Sequence, residues 1–262
     1  MAPSISTNSS FDGDILPRRS INYERVKQLK KPDVYAVRHR ESGAVFTASV
    51  IDLERTNDDE LDQIKCGVKV TRLLKHTNLL PFLSCFVDKN NLWIISPHFE
   101  LGSASKISKP YGIEDEIMLA YIIRGVLTAL DYLHVRALIH RAVRGSHILV
   151  GRDGRCVLSG LKYCTSVIRN GRWQQAIHDF PSNATNNLHW LSPEVLEQNL
   201  LGYDYKSDIY SLGITCCEIS NGVVPFDNLH PTEMLLDKLT GHYPKPLDAT
   251  SAHLIKFPDG GK

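Results

Sequence analysis

A chain of 262 residues with 42% hydrophobic and 23% charged content carries enough apolar side chain for one sizeable core or two modest ones. Its formal net charge of +1 gives no global field that would draw it to nucleic acid or to an anionic membrane, so bulk charge nominates neither as a partner. The six cysteines (Cys66, Cys85, Cys156, Cys164, Cys216, Cys217) form no C-x-x-C pair and lack histidines at zinc-ligand spacing, so they read as reduced, mostly buried thiols.

Residues 1–20, rich in Ser, Asn, Asp and Pro, read as a flexible tail without the apolar run of a signal peptide. No stretch approaches the ~18 apolar residues of a membrane span. The expected location is the cytoplasm, with the nucleus also open. On that expectation Asn8-Ser9-Ser10 and Asn183-Ala184-Thr185 are chance matches to a glycosylation triplet.

The first apolar alternation begins around Ile21 to Val26. Residues 35–37 and 44–53 read as strands joined by the turn Glu41-Ser42-Gly43. A helix is expected to start at Asn57-Asp58-Asp59-Glu60, where short acidic side chains cap free amides, and to run to about Leu74. Two strands, 81–87 and 92–96, flank the turn-rich Asp88-Lys89-Asn90-Asn91. From Glu114 a long helix follows. Its apolar positions Leu119, Ile122, Ile123, Val126, Leu127, Leu130 and Leu133 form a stripe broad enough for deep burial. Residues 147–150 and 156–159 read as short strands around Gly151-Arg152-Asp153-Gly154, and the remainder as loop and helix, including a short helix at 231–239.

The stretch from Tyr132-Leu133-His134 to Tyr163 resembles the catalytic and metal-binding loops of protein kinases, with His140-Arg141-Ala142 where that family has H-R-D. Trp190-Leu191-Ser192-Pro193-Glu194 resembles the A-P-E segment, and residues 207–213 the buried helix after it. Within that superfamily the chain is most similar to the STRAD (sterile-twenty-related kinase adaptor) pseudokinases. The similarity is carried by His140 to Leu149, Leu158-Ser159-Gly160-Leu161, His178-Asp179-Phe180-Pro181 and Trp190 to Leu196. The resemblance covers about residues 23–248. It implies an α+β, bilobal protein-kinase-like fold with a small β-rich N-lobe (21–98) and a larger helical C-lobe (99–248), followed by an irregular tail (249–262). The kinase pattern stops after residues 231–239, so the larger lobe is expected to be truncated, with apolar surface uncovered.

Phosphoryl transfer needs a positioned base, magnesium held by carboxylate or amide oxygens, and cations on the phosphates. The base position is Ala142, and the position of the metal-binding Asn is His147. Gly160-Leu161-Lys162 replaces D-F-G, so the magnesium carboxylate is absent and a cation stands two residues later. Ser49 occupies the place of the V-A-I-K lysine. The helix position of its glutamate partner is Gly67, or Val68 on a one-residue slip. No glycine lies between Tyr23 and Glu41, where backbone amides would wrap phosphates. These coordinated losses predict a protein that is not an enzyme. The persisting His140, Arg141 and Asp208 read as structural, with Asp208 expected to hold the catalytic-loop backbone and Leu161 to fill an apolar slot.

The resemblance also implies ATP binding without magnesium through basic side chains, and nominates Lys162 and His147. From the residues alone, Lys162 reads either as a phosphate contact or as a solvated loop residue, and His147 either as a ligand or as a packed histidine. Because Ser49, the missing glycines and Asn186 (a lysine in the STRAD pattern) argue against a strong site, ATP affinity is expected to be weak or absent, with no cofactor required. By resemblance the partner is a serine/threonine kinase of the liver kinase B type, activated allosterically, with a helical-repeat scaffold of the mouse protein-twenty-five type locking the assembly. Residues 163–189 would carry the contact through His178 and Phe180. The W-E-F tail that the family offers its scaffold is absent from Pro258-Asp259-Gly260-Gly261-Lys262, which opens the alternative of a truncated decoy or competitor. A third alternative is an atypical ATP-dependent kinase using Lys162 as an electrostatic catalyst.

Overall fold

A computed structural model describes residues 16–30, 33–109, 111–180, 184–198 and 201–241. The expected flexible tail (except its last residues), Pro32, Pro181 and the segment 249–262 therefore lie outside the described residues. The described residues divide into two compact units: those up to residue 55 with 82–97, and residues 56–81 with those from 98 onward.

The first unit is a five-stranded antiparallel sheet in the order β1-β2-β3-β5-β4, made of β1 (Tyr23–Lys30), β2 (Val34–His39), β3 (Val45–Asp52), β4 (Ser84–Asp88) and β5 (Asn91–Pro97). Period-two alternation turns Phe46, Ala48 and Val50 of β3 inward, where they join Tyr23, Val37, Phe86, Trp93 and Ile95. The expected hairpin at 88–91 forms, and Asp88 pairs with Asn91 across a two-residue connection whose first residue, Lys89, is left-handed at φ 53°. β4 begins at Ser84 rather than Pro81, consistent with the missing N–H of proline.

The second unit opens with α1 (Asp58–Leu73), capped as the sequence suggests: Asn57 Oδ1 accepts from the Glu60 N–H at 2.8 Å. Then come β6 (Gly102–Ser103), α2 (Ala104–Ser108) and α3 (Glu116–His134), with Asp115 capping α3 by accepting from the N–H groups of Ile117 and Met118. The α3 stripe is buried at Leu119, Ile122, Val126, Leu130 and Leu133. Leu127 departs from the expected burial and is exposed, because it stands 100° around the helix from Val126, on the side of Arg124 and Thr128. By length and apolar content α3 also departs from the expected lack of any span-like stretch, since an 18-residue window within it has a mean hydropathy of 1.3. Its buried face is nonetheless the centre of this unit's core, packed with Leu79, Ile148, Leu158, Leu161, Leu212 and Ile219.

Beyond α3 lie β7 (Leu138–Ile139), β8 (Ile148–Val150), β9 (Cys156–Leu158), β10 (Thr165–Ser166), β11 (Ile168–Arg169) and β12 (Arg172–Trp173). β6, β8 and β9 form one small sheet, β7 pairs with β10, and β11 pairs with β12. His147 does not open a strand as expected. It closes a short 3-10 turn, Gly145–His147, because its N–H is bonded to Arg144 O at 2.8 Å. The helices α4 (Pro193–Glu197), α5 (Lys206–Asn221) and α6 (Pro231–Leu239) follow among the described residues, and the short helix expected at 231–239 is present. All six cysteines are free.

Candidate functional site

The loop 140–147 is fastened to α5 from below. The fully buried carboxylate of Asp208 accepts from His140 N and Arg141 N at 2.8 Å each and meets His134 Nε2 at 2.8 Å. About two and three turns further along the same helix, Thr215 Oγ1 donates to Val143 O (3.2 Å), and Glu218 Oε2 accepts from Gly145 N (2.8 Å) and Trp190 Nε1 (2.9 Å). The expected role of Asp208 is therefore what the geometry contains. Burial pushes the His140 pKa down despite the pull of Asp208. The ring is accordingly the neutral tautomer, with Nε2–H donating to Ser159 O and Nδ1 accepting from Ala142 N.

The positions where kinase chemistry would sit are occupied by packed groups. Ala142 is 1% exposed, and its carbonyl accepts from His147 Nδ1 at 2.7 Å. His147 Nε2 in turn accepts from Arg144, and its ring lies beside Tyr163 at a centroid distance of 5.6 Å. Gly160 is left-handed at φ 94°, and a Cβ there would lie 2.9 Å from His147 Nδ1, so side chains are disfavoured twice at this position. Gly67 is the buried residue of α1, and it rests on the 3-10 turn Leu161–Tyr163. An interior helix glycine costs about 1 kcal/mol relative to alanine, so close packing has to supply a reason for it. Leu161 is buried in the core, whereas Lys162 is exposed, with its ammonium 5.0 Å from the Tyr163 ring. Ser49, half-buried, belongs to the first unit, where it pairs with Val34 and Ile94.

After the turn, residues 163–180 are tied down at a few points, with Cys164, Val167 and Ile177 buried. Arg141, left-handed at φ 63°, donates from Nε to Tyr163 O at 2.8 Å and from Nη1 to Tyr203 Oη at 3.4 Å. Tyr203 donates to Asp179 O at 2.7 Å, and its main chain exchanges two hydrogen bonds with Ile177. Burial raises the Tyr203 pKa, which keeps the hydroxyl a donor. Arg169 pairs with the Asp179 carboxylate. His178 and Phe180 stand together here, lining a shallow, open depression with Ile177, Glu194, Val195 and Gly202.

Two groups escaped the sequence reading. Arg144 donates to His147 and to Asn186 O (2.7 Å) and lies over Trp190. Trp173, 57% exposed, is the cross-strand partner of Ile168, 46% exposed, on the β11–β12 hairpin. The signal for that hairpin was Asn170-Gly171, whose φ values of 52° and 72° fit a two-residue turn with both central residues left-handed.

A model of the protein kinase domain matches residues 30–256. STE20-related kinase adapter protein alpha of Mus musculus is 42% identical over 220 residues, 83% of this chain and 51% of that protein. The Rattus norvegicus protein alpha is 43% identical over 216 residues, 82% of this chain and 55% of that protein. STE20-related kinase adapter protein beta of Homo sapiens is 40% identical over 217 residues, 82% and 52% of the two chains. The chain thus spans about half the length of these curated relatives. With a β-sheet unit followed by a helical one, and with most of its length matched, the chain belongs to the protein kinase family, where it is similar to the STE20-related kinase adapters.

Proposed function

We propose that this protein acts by binding, as a catalytically inactive pseudokinase that captures and allosterically activates a serine/threonine kinase of the liver kinase B type. The observation that carries the reading is a contrast within the second unit. Ala142, His147 and Gly160 are packed and bonded among themselves, whereas Ile168, Trp173 and Phe180 present apolar surface on the segment that follows. Exposed aromatic side chains on a tied-down segment suit anchors in a partner's pocket. Ala142 has no proton acceptor to offer a substrate hydroxyl, and Gly160 has no carboxylate for magnesium.

Nucleotide is a lesser element of the reading. On this reading Lys162, which is exposed, meets phosphate without magnesium, while His147, bonded at both ring nitrogens, contributes packing. ATP affinity is weak, and a thermal shift of several degrees with ATP in excess chelator would contradict that. A helical-repeat scaffold of the mouse protein-twenty-five type, and residence in cytoplasm and nucleus, belong to the same proposal.

The test is co-expression of the full chain with the kinase partner. Capture with raised partner activity is expected, and Phe180→Ala should weaken capture by at least about tenfold, the scale of a hot-spot truncation. Absence of association in pull-down sinks the reading. Capture without activation would favour the competitor instead.

A further inference from the structure

Among the glycines of the helices, Gly67 and Gly213 differ sharply in surroundings. A Cβ built on Gly213 of α5 meets nothing within 4 Å. A Cβ built on Gly67 of α1 would lie 2.6 Å from Lys162 Cβ and 2.7 Å from Lys162 Cα, with Lys162 N at 3.2 Å. Those neighbours are main chain and β-carbon, so no change of side-chain rotamer relieves the overlap. The Lys162 ammonium plays no part, since it stands over the Tyr163 ring. Around this point, Val70 and Leu74 touch the core of the unit, and Thr71 Oγ1 closes onto Gly67 O at 2.6 Å. Gly67 is the one residue of α1 that is buried, so the helix is seated on the turn through its backbone.

We propose that Gly67 and the turn Leu161–Tyr163 form a steric latch, in which backbone pressed on backbone fixes α1 to the turn that opens the segment that follows. In active kinases the position of the corresponding helix is governed by a lysine–glutamate ion pair. Such a pair can be weakened by salt or rearranged with nucleotide. The latch contains no charge and holds without either. Any side chain at position 67, glutamate included, forces the helix off the turn. α1 and the turn therefore open together, as one local unit. This inference is independent of whether a partner kinase is captured.

Hydrogen exchange of the full chain tests it, read in peptides covering residues 58–74 and 160–168. Gly67→Ala is expected to speed exchange in both peptides by at least about tenfold. Gly213→Ala, the same chemical change in open space, is expected to leave both unchanged. Adding Lys162→Gly to Gly67→Ala should not restore protection, because the main-chain α-carbon of residue 162 still stands 2.7 Å from the added methyl. In the unmodified chain, protection of both peptides should be the same at low and high salt. The latch is refuted if Gly67→Ala exchanges like Gly213→Ala, if only one peptide responds, or if Lys162→Gly restores protection. Salt-dependent protection in the unmodified chain refutes it too. That last arm decides the matter even if Gly67→Ala does not fold.

Discussion

The loop 140–147 and the segment 165–180 belong to the same unit, and Arg141 of the loop bonds Tyr163, just before the segment, and Tyr203, which holds the segment, yet their bonding differs in kind. In the loop, the main-chain N–H groups of His140, Arg141 and Gly145 end on carboxylates of α5, and the carbonyls of Ala142 and Val143 are taken by His147 and Thr215. In the segment, the hold is sparser and rests on no buried carboxylate: two-residue strands, the Val167 N–H on Ala137 O, the Ile177–Tyr203 exchange, the Tyr203 hydroxyl and one exposed ion pair. Carboxylates buried in a helix hold a loop whatever side chains that loop presents. The frame beneath a catalytic loop is therefore independent of the chemistry above it. A segment tied at a few points keeps its side chains for outside use.

The comparison is broken most severely by removing the carboxylate that dominates the loop. Asp208→Ala leaves His134 and two buried N–H groups without their acceptor. Loss of one member of a buried charged network costs about 3–5 kcal/mol. Urea unfolding should show that loss, and a change under about 1 kcal/mol would mean the loop is held by something else.

A smaller effect is expected from putting a carboxylate where the family has its base. Ala142 is buried at 1% exposure, so Ala142→Asp buries an acid and costs about 1–3 kcal/mol. It should yield no incorporation of labelled phosphate, because Gly160 still offers no metal ligand and cannot accept a side chain beside His147. Phosphate transfer by this single variant would overturn the view that the losses act together.

Much of the frame was legible in sequence because it is written in local signals. The order of strands and helices around α1, the Asn57 cap, the hairpin at 88–91 and the α3 stripe follow from caps, turns and periodicity. The Asn170-Gly171 turn was equally legible, and passing over it hid the exposed pair Ile168 and Trp173. What could not be read was the reason for the substitutions. The resemblance sets Gly67, or Val68 on a one-residue slip, where a glutamate is expected, and Gly160 where an aspartate is expected. It does not show that Lys162 main chain and the His147 ring fill the space a side chain would need. Those approaches join residues 95 and 13 positions apart and leave no periodic trace, since Gly67 to Lys162 spans 162 − 67 and His147 to Gly160 spans 160 − 147.

A third way to probe the comparison is pH, through a tie on the far side of the segment. Lys238 of α6 donates from Nζ to the carbonyls of Leu188, His189 and Leu191 at 3.2, 2.6 and 2.8 Å. Three acceptors match the three hydrogens of an ammonium, but burial pushes its pKa down from 10.5 to about 7. Between those values the unfolded chain binds more protons than the folded one, so this group makes stability rise with pH above about 7. Below that range both states are protonated and the penalty of the buried cation is complete. Lys238→Met should flatten stability measured from pH 7 to 10, and an unaltered slope would assign that dependence to other groups.

The smallest effect is the most informative about the segment. Tyr203→Phe keeps the ring and its packing and deletes one hydroxyl, which donates to Asp179 O and receives Arg141 Nη1 at the edge of bonding distance. Global stability should fall by only about 1 kcal/mol, the net worth of one intramolecular hydrogen bond. The main-chain exchange between Ile177 and Tyr203 survives the substitution, so the change should be confined to residues just beyond it. Exchange of amides around 178–180 is expected to quicken, while amides of the loop 140–147, held by Asp208 and Glu218, stay protected. Equal quickening in both places would show that Arg141 couples loop and segment into one cooperative body, erasing the distinction between them. Quickening in the segment alone places the Tyr203 hydroxyl as the tie that presents His178 and Phe180.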